Sequence, residues 1–314
     1  MAKPEPIQKT DVMSESKIKQ TSAAMLTLCK VLPMIIGRKV PDGCVHWINF
    51  LRLVQITFLA TCPLVTSDTV ANLRQLVATH NLVFAACYPK STITPKMHYL
   101  VHLPDQMLKF GPLQNQWCMR FEAKHAFFTS LKLKCFKNLP KSLAAKHQLW
   151  MCSKQLGALG AANNNFLYVG DIVPEGEEQS FSDLFPDLKA KFLSLISTPA
   201  VEPIMVYIAN TVKIHGLTYS IGSVLVTGYD HCGLPAMALL KNIVVYDSLK
   251  YFVVEELQID SYEVNFLSFS VSLTGTMDVV KHASLYNVWP LTLYCVDNMQ
   301  LVMNIYGHIS ELLM

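Results

Sequence analysis

Charge is scarce in this 314-residue chain: Asp, Glu, Lys and Arg together make up 16% of it, against 51% hydrophobic residues. A disordered, charge-rich chain is thereby excluded, because such chains carry too few apolar residues to form a core. Long hydrophobic runs are missing as well. A membrane-crossing helix needs about 20 apolar residues, and the best run, residues 53–65, is broken by Gln55 and closed by Cys62-Pro63. The opening MAKPEPIQKTDVMSESK is polar, so no secretory signal is expected. Nine cysteines are scattered without a CxxC pair, which fits a reducing, intracellular compartment rather than a disulfide framework. P-loop, GxGxxG, GxSxG, HExxH and EF-hand signatures are all absent. No cofactor and no membrane partner are expected, and nothing in the sequence sets an oligomeric state.

What is present is an uneven distribution of charge over a chain long enough for about two domains. Residues 1–150 hold 19 Lys/Arg against 7 Asp/Glu, whereas residues 151–314 hold 7 against 16. A basic half beside an acidic half points to modules with different partners, the basic one suited to nucleic acid. The alternative is that the two halves simply attract each other. Between them, residues 163–187 combine asparagines, Pro174, Gly176 and six acidic residues, which is linker chemistry. The expected organisation is a disordered leader over residues 1–17, a basic α-helical domain over 18–160, an acidic linker with a short helix over 161–200, and a small all-β domain over 201–314. The fold class expected is α+β, helices first and a barrel or sandwich after.

The first half carries helical periodicity. Residues 18–36 are rich in Ala, Leu and Met and stop at Gly37 and Pro41. Trp47, Phe50, Leu51, Val54 and Phe58 then form an apolar face, with Asn49, Arg52 and Gln55 opposite. Ser67 or Asp68 caps a third helix with Val70, Leu73, Val77 and Phe84 on one face; His80 on that face reads as a core histidine. Pro95 opens a fourth helix that Pro104 ends or kinks, and helices over 119–135 and from Pro140 to about Lys154 follow.

From Met205 the period becomes two. Leu267, Phe269, Val271 and Leu273 alternate with serines as a half-buried strand, and Thr274-Gly275 is expected to turn into a second one. Asp247-Ser248 and Asp297-Asn298 read as hairpin turns. Six to eight short strands without intervening helices suggest a small barrel or sandwich. Tyr219, Tyr229, Tyr251 and Trp289 are its prominent aromatics; core packing is the expected role, with an aromatic peptide groove of an SH3-like adaptor as the alternative.

The densest unusual stretch is residues 94–148, with nine Lys/Arg against only Asp105 and Glu122. Lys96, Arg120, Lys124, Lys132, Lys134, Lys137 and Lys141 are the candidate phosphate contacts. Phe121, Phe127, Phe128 and Phe136 are interleaved with them, as nucleic-acid binding by charge and stacking requires, although their spacing also fits a solvated helix whose rings point inward. His98 and His102, four apart, and Glu122 and His125, three apart, each share a helix face. Together they form a conceivable four-ligand zinc or manganese site, against the simpler reading of a histidine–carboxylate network joining two helices.

The same stretch resembles CACTA-type (En/Spm-like) transposases and transposon-derived reading frames of animal genomes. The matching elements are Pro95, Lys96, His98, His102, Leu103, Gly111, Pro112, Trp117, Arg120, Phe121 and Glu122. The resemblance implies a relation to RNase H-fold nucleases, in which three carboxylates hold two divalent metals, with Glu122 as a remnant of the third. The first two carboxylates should be aspartates on strands, and the aspartates upstream of the motif are only Asp11 in the polar leader, Asp42 in a Pro-Asp-Gly turn and Asp68 at a helix start. The resemblance therefore implies a post-catalytic region of a transposase, not an enzyme by itself, located intracellularly and pointing toward the nucleus, with DNA or transposase subunits as partners of the helical half. An intracellular interaction adaptor, using the acidic β-domain to bind protein partners, is the other function weighed; a metal-dependent enzyme built on the histidines is a third.

Overall fold

The computed structural model describes residues 3–9, 18, 20–118, 125, 127–131, 138–160, 178–196, 203–214, 217–231 and 233–305. Helices fill the first part of the chain and a β-barrel with extra strands the second, an α+β architecture. The chain divides into two compact units. One is helical but discontinuous: residues 262–269 and the described residues from Met303 group with those up to Phe127. The other comprises Phe128–Ser261 and Ser270–Val302.

In the helical unit, α1 spans Ser22–Ile36, α2 Val45–Ala60 and α3 Ser67–Cys87. The side chain of Thr21 caps α1 by accepting from the Ala24 amide at 3.3 Å. The α3 cap is Thr66, one residue before the expected Ser67 or Asp68. Thr66 Oγ1 accepts from the Thr69 amide at 3.2 Å, while Thr69 Oγ1 accepts from the Thr66 amide at 3.3 Å, a reciprocal arrangement that satisfies two otherwise orphaned donors. Leu51, Val54 and Leu59 of α2 are buried, as are Val70, Leu73, Val77 and His80 of α3. The expected polar face of α2 is not solvent-facing: Asn49 and Gln55 are buried too. This helix is covered on more than one side, so its polar residues face partners rather than water.

Those partners come from far along the chain. The indole N–H of Trp47 donates to the Asn265 carbonyl at 3.0 Å. The Asn265 side-chain amide donates to the Val40 carbonyl at 3.1 Å and to Asp42 Oδ1 at 3.0 Å. Gln55 donates to the Asn304 carbonyl at 3.4 Å, and the Asn304 amide to the Leu267 carbonyl at 2.8 Å. Leu267 itself adopts a left-handed conformation with φ 54°. Gly37 lies so close that a Cβ there would stand 2.7 Å from the Asn265 carbonyl oxygen.

Beyond α3, residues Pro95–Leu100 form α4 and Leu103–Phe110 form α5. The expected single helix breaks at Val101-His102, and Pro104 lies in the first turn of α5 rather than at a helix end, the position where its missing N–H costs nothing. The long helix α6, Leu139–Gly160, belongs to the second unit. The helix expected over 119–135 falls largely outside the described residues.

The barrel unit contains β1 (Glu178–Ser180), β2 (Met205–Ala209), β3 (Thr211–Ile214), β4 (Leu217–Ser220), β5 (Ser223–Tyr229), β6 (Pro235–Tyr246), β7 (Leu249–Glu263), β8 (Ser268–Lys281), β9 (Asn287–Val296) and β10 (Met299–Met303). The main sheet runs β1-β2-β6-β5-β9-β10-β8-β7 and closes through a further β6–β7 pairing, while β3 and β4 form a separate two-stranded sheet. Both expected hairpins are present with two-residue turns, since Tyr246 pairs with Leu249 and Val296 with Met299. All four turn residues have positive φ, between 47° and 70°, as the right-handed twist of tight hairpins requires. The turn expected at Thr274-Gly275 is absent: β8 runs through it, with Gly275 at φ 79° absorbing the irregularity.

The described part of the expected acidic linker is barrel structure. β1 pairs with β2, and the short helices α7 (Phe181–Leu184) and α8 (Lys189–Leu195) follow. Phe181 and Phe192 are fully buried and stacked, ring centroids 4.0 Å apart, and Phe192 meets Tyr251 edge-on at 5.0 Å. The apolar residues in an acidic sequence decide its placement, because burying one phenylalanine is worth about 1.5–3 kcal/mol.

Two outcomes are expected. Gly37→Ala forces backbone apart at Asn265 and should lower the stability of the helical unit by about 1–3 kcal/mol, read from its denaturant midpoint. Ser248→Gly relieves a left-handed serine and should raise the thermal midpoint, by about 0.5–1 kcal/mol of stability.

Candidate nucleic-acid interface

α4 and α5 carry two of the four described cations of the basic stretch, Lys96 and Lys109. Lys90, Lys96 and Lys109 are exposed, and none forms an ion pair with another described residue. Asp105, the acid between them, is paired with Arg74 of α3 at 2.9 Å. Both partners of that bridge are more than half exposed, so it contributes little stability; its effect is to neutralise the acid of this surface. From residue 20 to 118 the chain carries eight Lys/Arg against three Asp. Not all eight are available: Lys30 lies over the Phe58 ring at 4.6 Å and donates to Thr61 Oγ1 at 3.3 Å, and burial lowers its pKa.

Aromatic side chains stand among these cations. Tyr99 is 63% and Phe110 58% exposed, on α4 and α5 respectively. Rings left in water beside lysines are the elements from which base stacking and phosphate contact are built. Neither ring is among the sequence-predicted aromatics of the basic stretch, which are Phe121, Phe127, Phe128 and Phe136. The signal for Tyr99 was its place one residue from His98 in the resemblance motif.

The other expected phosphate contacts are distributed differently. Lys141 is exposed on α6, in the barrel unit, and so is Lys146. Arg120, Lys124, Lys132, Lys134 and Lys137 lie outside the described residues, as does Glu122. The four-ligand metal reading is therefore reduced to its histidines. His98 and His102 face each other, Nε2 to Nε2 at 3.1 Å. His125 is exposed, and among the described residues no three His, Cys, Asp or Glu side chains converge as a metal site.

Of the aspartates that the transposase resemblance makes relevant, Asp11 is outside the described residues. Asp42 lies in a turn, accepting from Asn265, and Asp68 in the first turn of α3. Neither lies on a strand.

In the barrel, Tyr219 and Tyr251 are fully buried, as core packing predicts. Tyr219 donates its hydroxyl to the Val288 carbonyl and lies 3.1 Å from His282 Nε2. Because that hydroxyl proton is committed to the carbonyl, His282 Nε2 is the donor of the second bond. Burial pushes the Tyr219 phenol up. Tyr229 is exposed instead, in edge contact with exposed Tyr286 at 4.8 Å.

No helix among the described residues is long and apolar enough to cross a membrane. Comparison with known protein families, with curated proteins and with solved structures gives no match.

His80 is a core histidine, buried on α3. Its Nδ1–H donates to the Asn49 carbonyl at 3.2 Å and to Asn49 Oδ1 at 3.1 Å, which fixes the tautomer because both acceptors are oxygens. Burial pushes its pKa down, with the Asn49 bond opposing and Arg52 adding to the shift. An unfolded histidine takes up a proton as pH falls through about 6.5, while the buried ring stays neutral to lower pH. The unfolded state then binds more protons, so the contribution to stability is complete above that pH and is lost on acidification. His80→Gln should flatten the fall of the denaturant midpoint between pH 7 and 5, where the wild-type ring contributes at most about 1.4 kcal/mol per pH unit; an unchanged slope would assign the acid sensitivity to other groups.

Proposed function

We propose that this protein is transposon-derived, resembles the post-catalytic region of a transposase, is not an enzyme by itself, and binds DNA through its basic helical unit, in the nucleus. The observation that carries the reading is the α4–α5 surface: Lys96 and Lys109 are exposed on the same two short helices as exposed Tyr99 and Phe110, and Asp105 of α5 is paired with Arg74. Phosphate neutralisation by such lysines releases counterions, and the affinity it produces is steeply salt-dependent. The positions of Asp42 and Asp68 in a turn and at a helix start support a role without autonomous strand cleavage, because a two-metal site needs carboxylates that converge.

A second reading rests on a separate observation. The exposed Tyr229–Tyr286 pair supports an adaptor in which the barrel binds a protein partner through aromatic contact.

Titration of duplex DNA with the full chain across 50–200 mM salt tests the first reading. The expected result is binding whose salt slope falls by about two when Lys96→Glu and Lys109→Glu are combined, about one for each phosphate contact removed. Absence of binding at the lowest salt, or a slope unchanged in the double variant, would overturn it at this surface. A partner recovered by the wild-type chain and lost on Tyr286→Ala would then favour the adaptor.

A further inference from the structure

We propose that His98 and His102 form a two-point chelate for a divalent transition-metal ion of the zinc, nickel and copper class. This inference stands apart from DNA binding, since it needs neither the lysines nor the Tyr99 and Phe110 rings.

The two imidazoles are brought together across the junction of α4 and α5. His98 lies in the last turn of α4 and His102 is the cap residue of α5. Their rings are nearly perpendicular, at 85°, with centroids 4.8 Å apart, and the Nε2 atoms approach to 3.1 Å. Without a metal, that distance is a hydrogen bond in which one ring donates and the other accepts through its lone pair, so both rings can hold it while neutral. With a metal, the donating ring exchanges its Nε2 proton with solvent for one on Nδ1, so that both rings are Nδ1–H tautomers and each Nε2 directs a lone pair to the ion. For two bonds of about 2.0–2.1 Å, a separation of 3.1 Å gives an angle at the metal of about 98°. That angle lies between the 90° of a cis octahedral or square arrangement and the tetrahedral value of about 109°.

The backbone holding the pair is set in advance. The Val101 amide donates to the His98 carbonyl at 3.1 Å, the His102 amide to the Tyr99 carbonyl at 3.1 Å, and the Gln106 amide to the His102 carbonyl at 3.0 Å. Pro95 and Pro104 stiffen the first turns of the two helices on either side. Chelation therefore orders little that is not already ordered, which favours binding by two ligands where a flexible pair would bind poorly. Both rings are exposed, so the ion enters directly from solvent and keeps at least two positions for water or an anionic oxygen.

The donor set decides which ion. Two imidazoles suit zinc, nickel and copper, whereas magnesium and calcium take oxygen ligands. Affinity for this pair should rise from nickel to copper, with zinc below copper.

The test is titration of the full chain with ZnCl2, followed by the histidine ring resonances in NMR spectra and by calorimetry. One equivalent should shift the resonances of His98 and His102 together, and MgCl2 should shift neither. His98→Ala and His102→Ala should each abolish that equivalent, because one imidazole alone does not chelate. Zinc taken up by the free cysteines is recognised because it persists in both variants. Since both side chains are exposed, the variants should keep the wild-type thermal midpoint in the absence of metal. The proposal is overturned if the two resonances stay in place at a tenfold excess of zinc, or if the number of equivalents bound is the same in wild type and both variants.

Discussion

The helical unit depends on one carbonyl group that lies some two hundred residues downstream of the helices around it. The Asn265 oxygen accepts the Trp47 indole N–H, and its position against Gly37 leaves no room for a side chain there. The amide of the same residue ties down the Val40 carbonyl and Asp42. A buried indole N–H without a partner carries a penalty of about 1–3 kcal/mol, so Trp47 holds its place only when residues 262–269 are present. The same holds for Gln55, buried on α2 and directed at the Asn304 carbonyl. Helices that read as an independent domain therefore contain polar groups whose partners are supplied after most of the barrel strands. This unit cannot complete its hydrogen bonds until nearly the whole chain has been made, and contacts of such sequence separation form slowly.

That discontinuity explains which parts of the fold could be read from the sequence. Local signals were sufficient where the structure is local. Asp247-Ser248 and Asp297-Asn298 between apolar runs set two tight hairpins, because few residue pairs tolerate positive φ at both central positions. Helix α3 was legible from Val70, Leu73 and Val77, and His80 from its place on that face. Where the structure is long-range, the same signals failed. Asn49 and Gln55 looked like the wet side of α2, yet one meets His80 and the other Asn304. Periodicity reports that a face is polar; it cannot report that the partner of that face is another polar group instead of water.

Two further readings failed for reasons that lie in single residue types. Thr274-Gly275 has turn chemistry, but a glycine at φ 79° is also what a strand uses to absorb an irregularity, and β8 continues through it. In the acidic stretch, composition outweighed pattern. Phe181 stands near Asp183 and Asp187, Phe192 follows Lys189 and Lys191, and the stacked burial of the two rings against Tyr251 brings this segment into the barrel core. The acidic side chains of that segment remain at the surface, where Asp183 and Asp187 are exposed, so linker-like charge and core-forming aromatics coexist in one short segment.

The candidate site shows the same division between what a sequence carries and what only placement decides. The density of lysines over residues 94–148 was legible, but which cations remain available was not. Lys30 is drawn over an aromatic ring, and Arg74 is spent on Asp105, whereas Lys96 and Lys109 meet no described acid. The Arg74–Asp105 bridge is weak as a source of stability because both ends are exposed to water. Its consequence is electrostatic: a carboxylate among lysines would otherwise lower the local positive potential, and with an arginine beside it the surface remains cationic. Spacing likewise placed His98 and His102 on one helix face, but the chain breaks between them, and the approach of their Nε2 atoms comes from the way α4 hands over to α5. A regular helix fixes only which side chains are neighbours; the junction brings the two nitrogens to a distance that suits one metal ion.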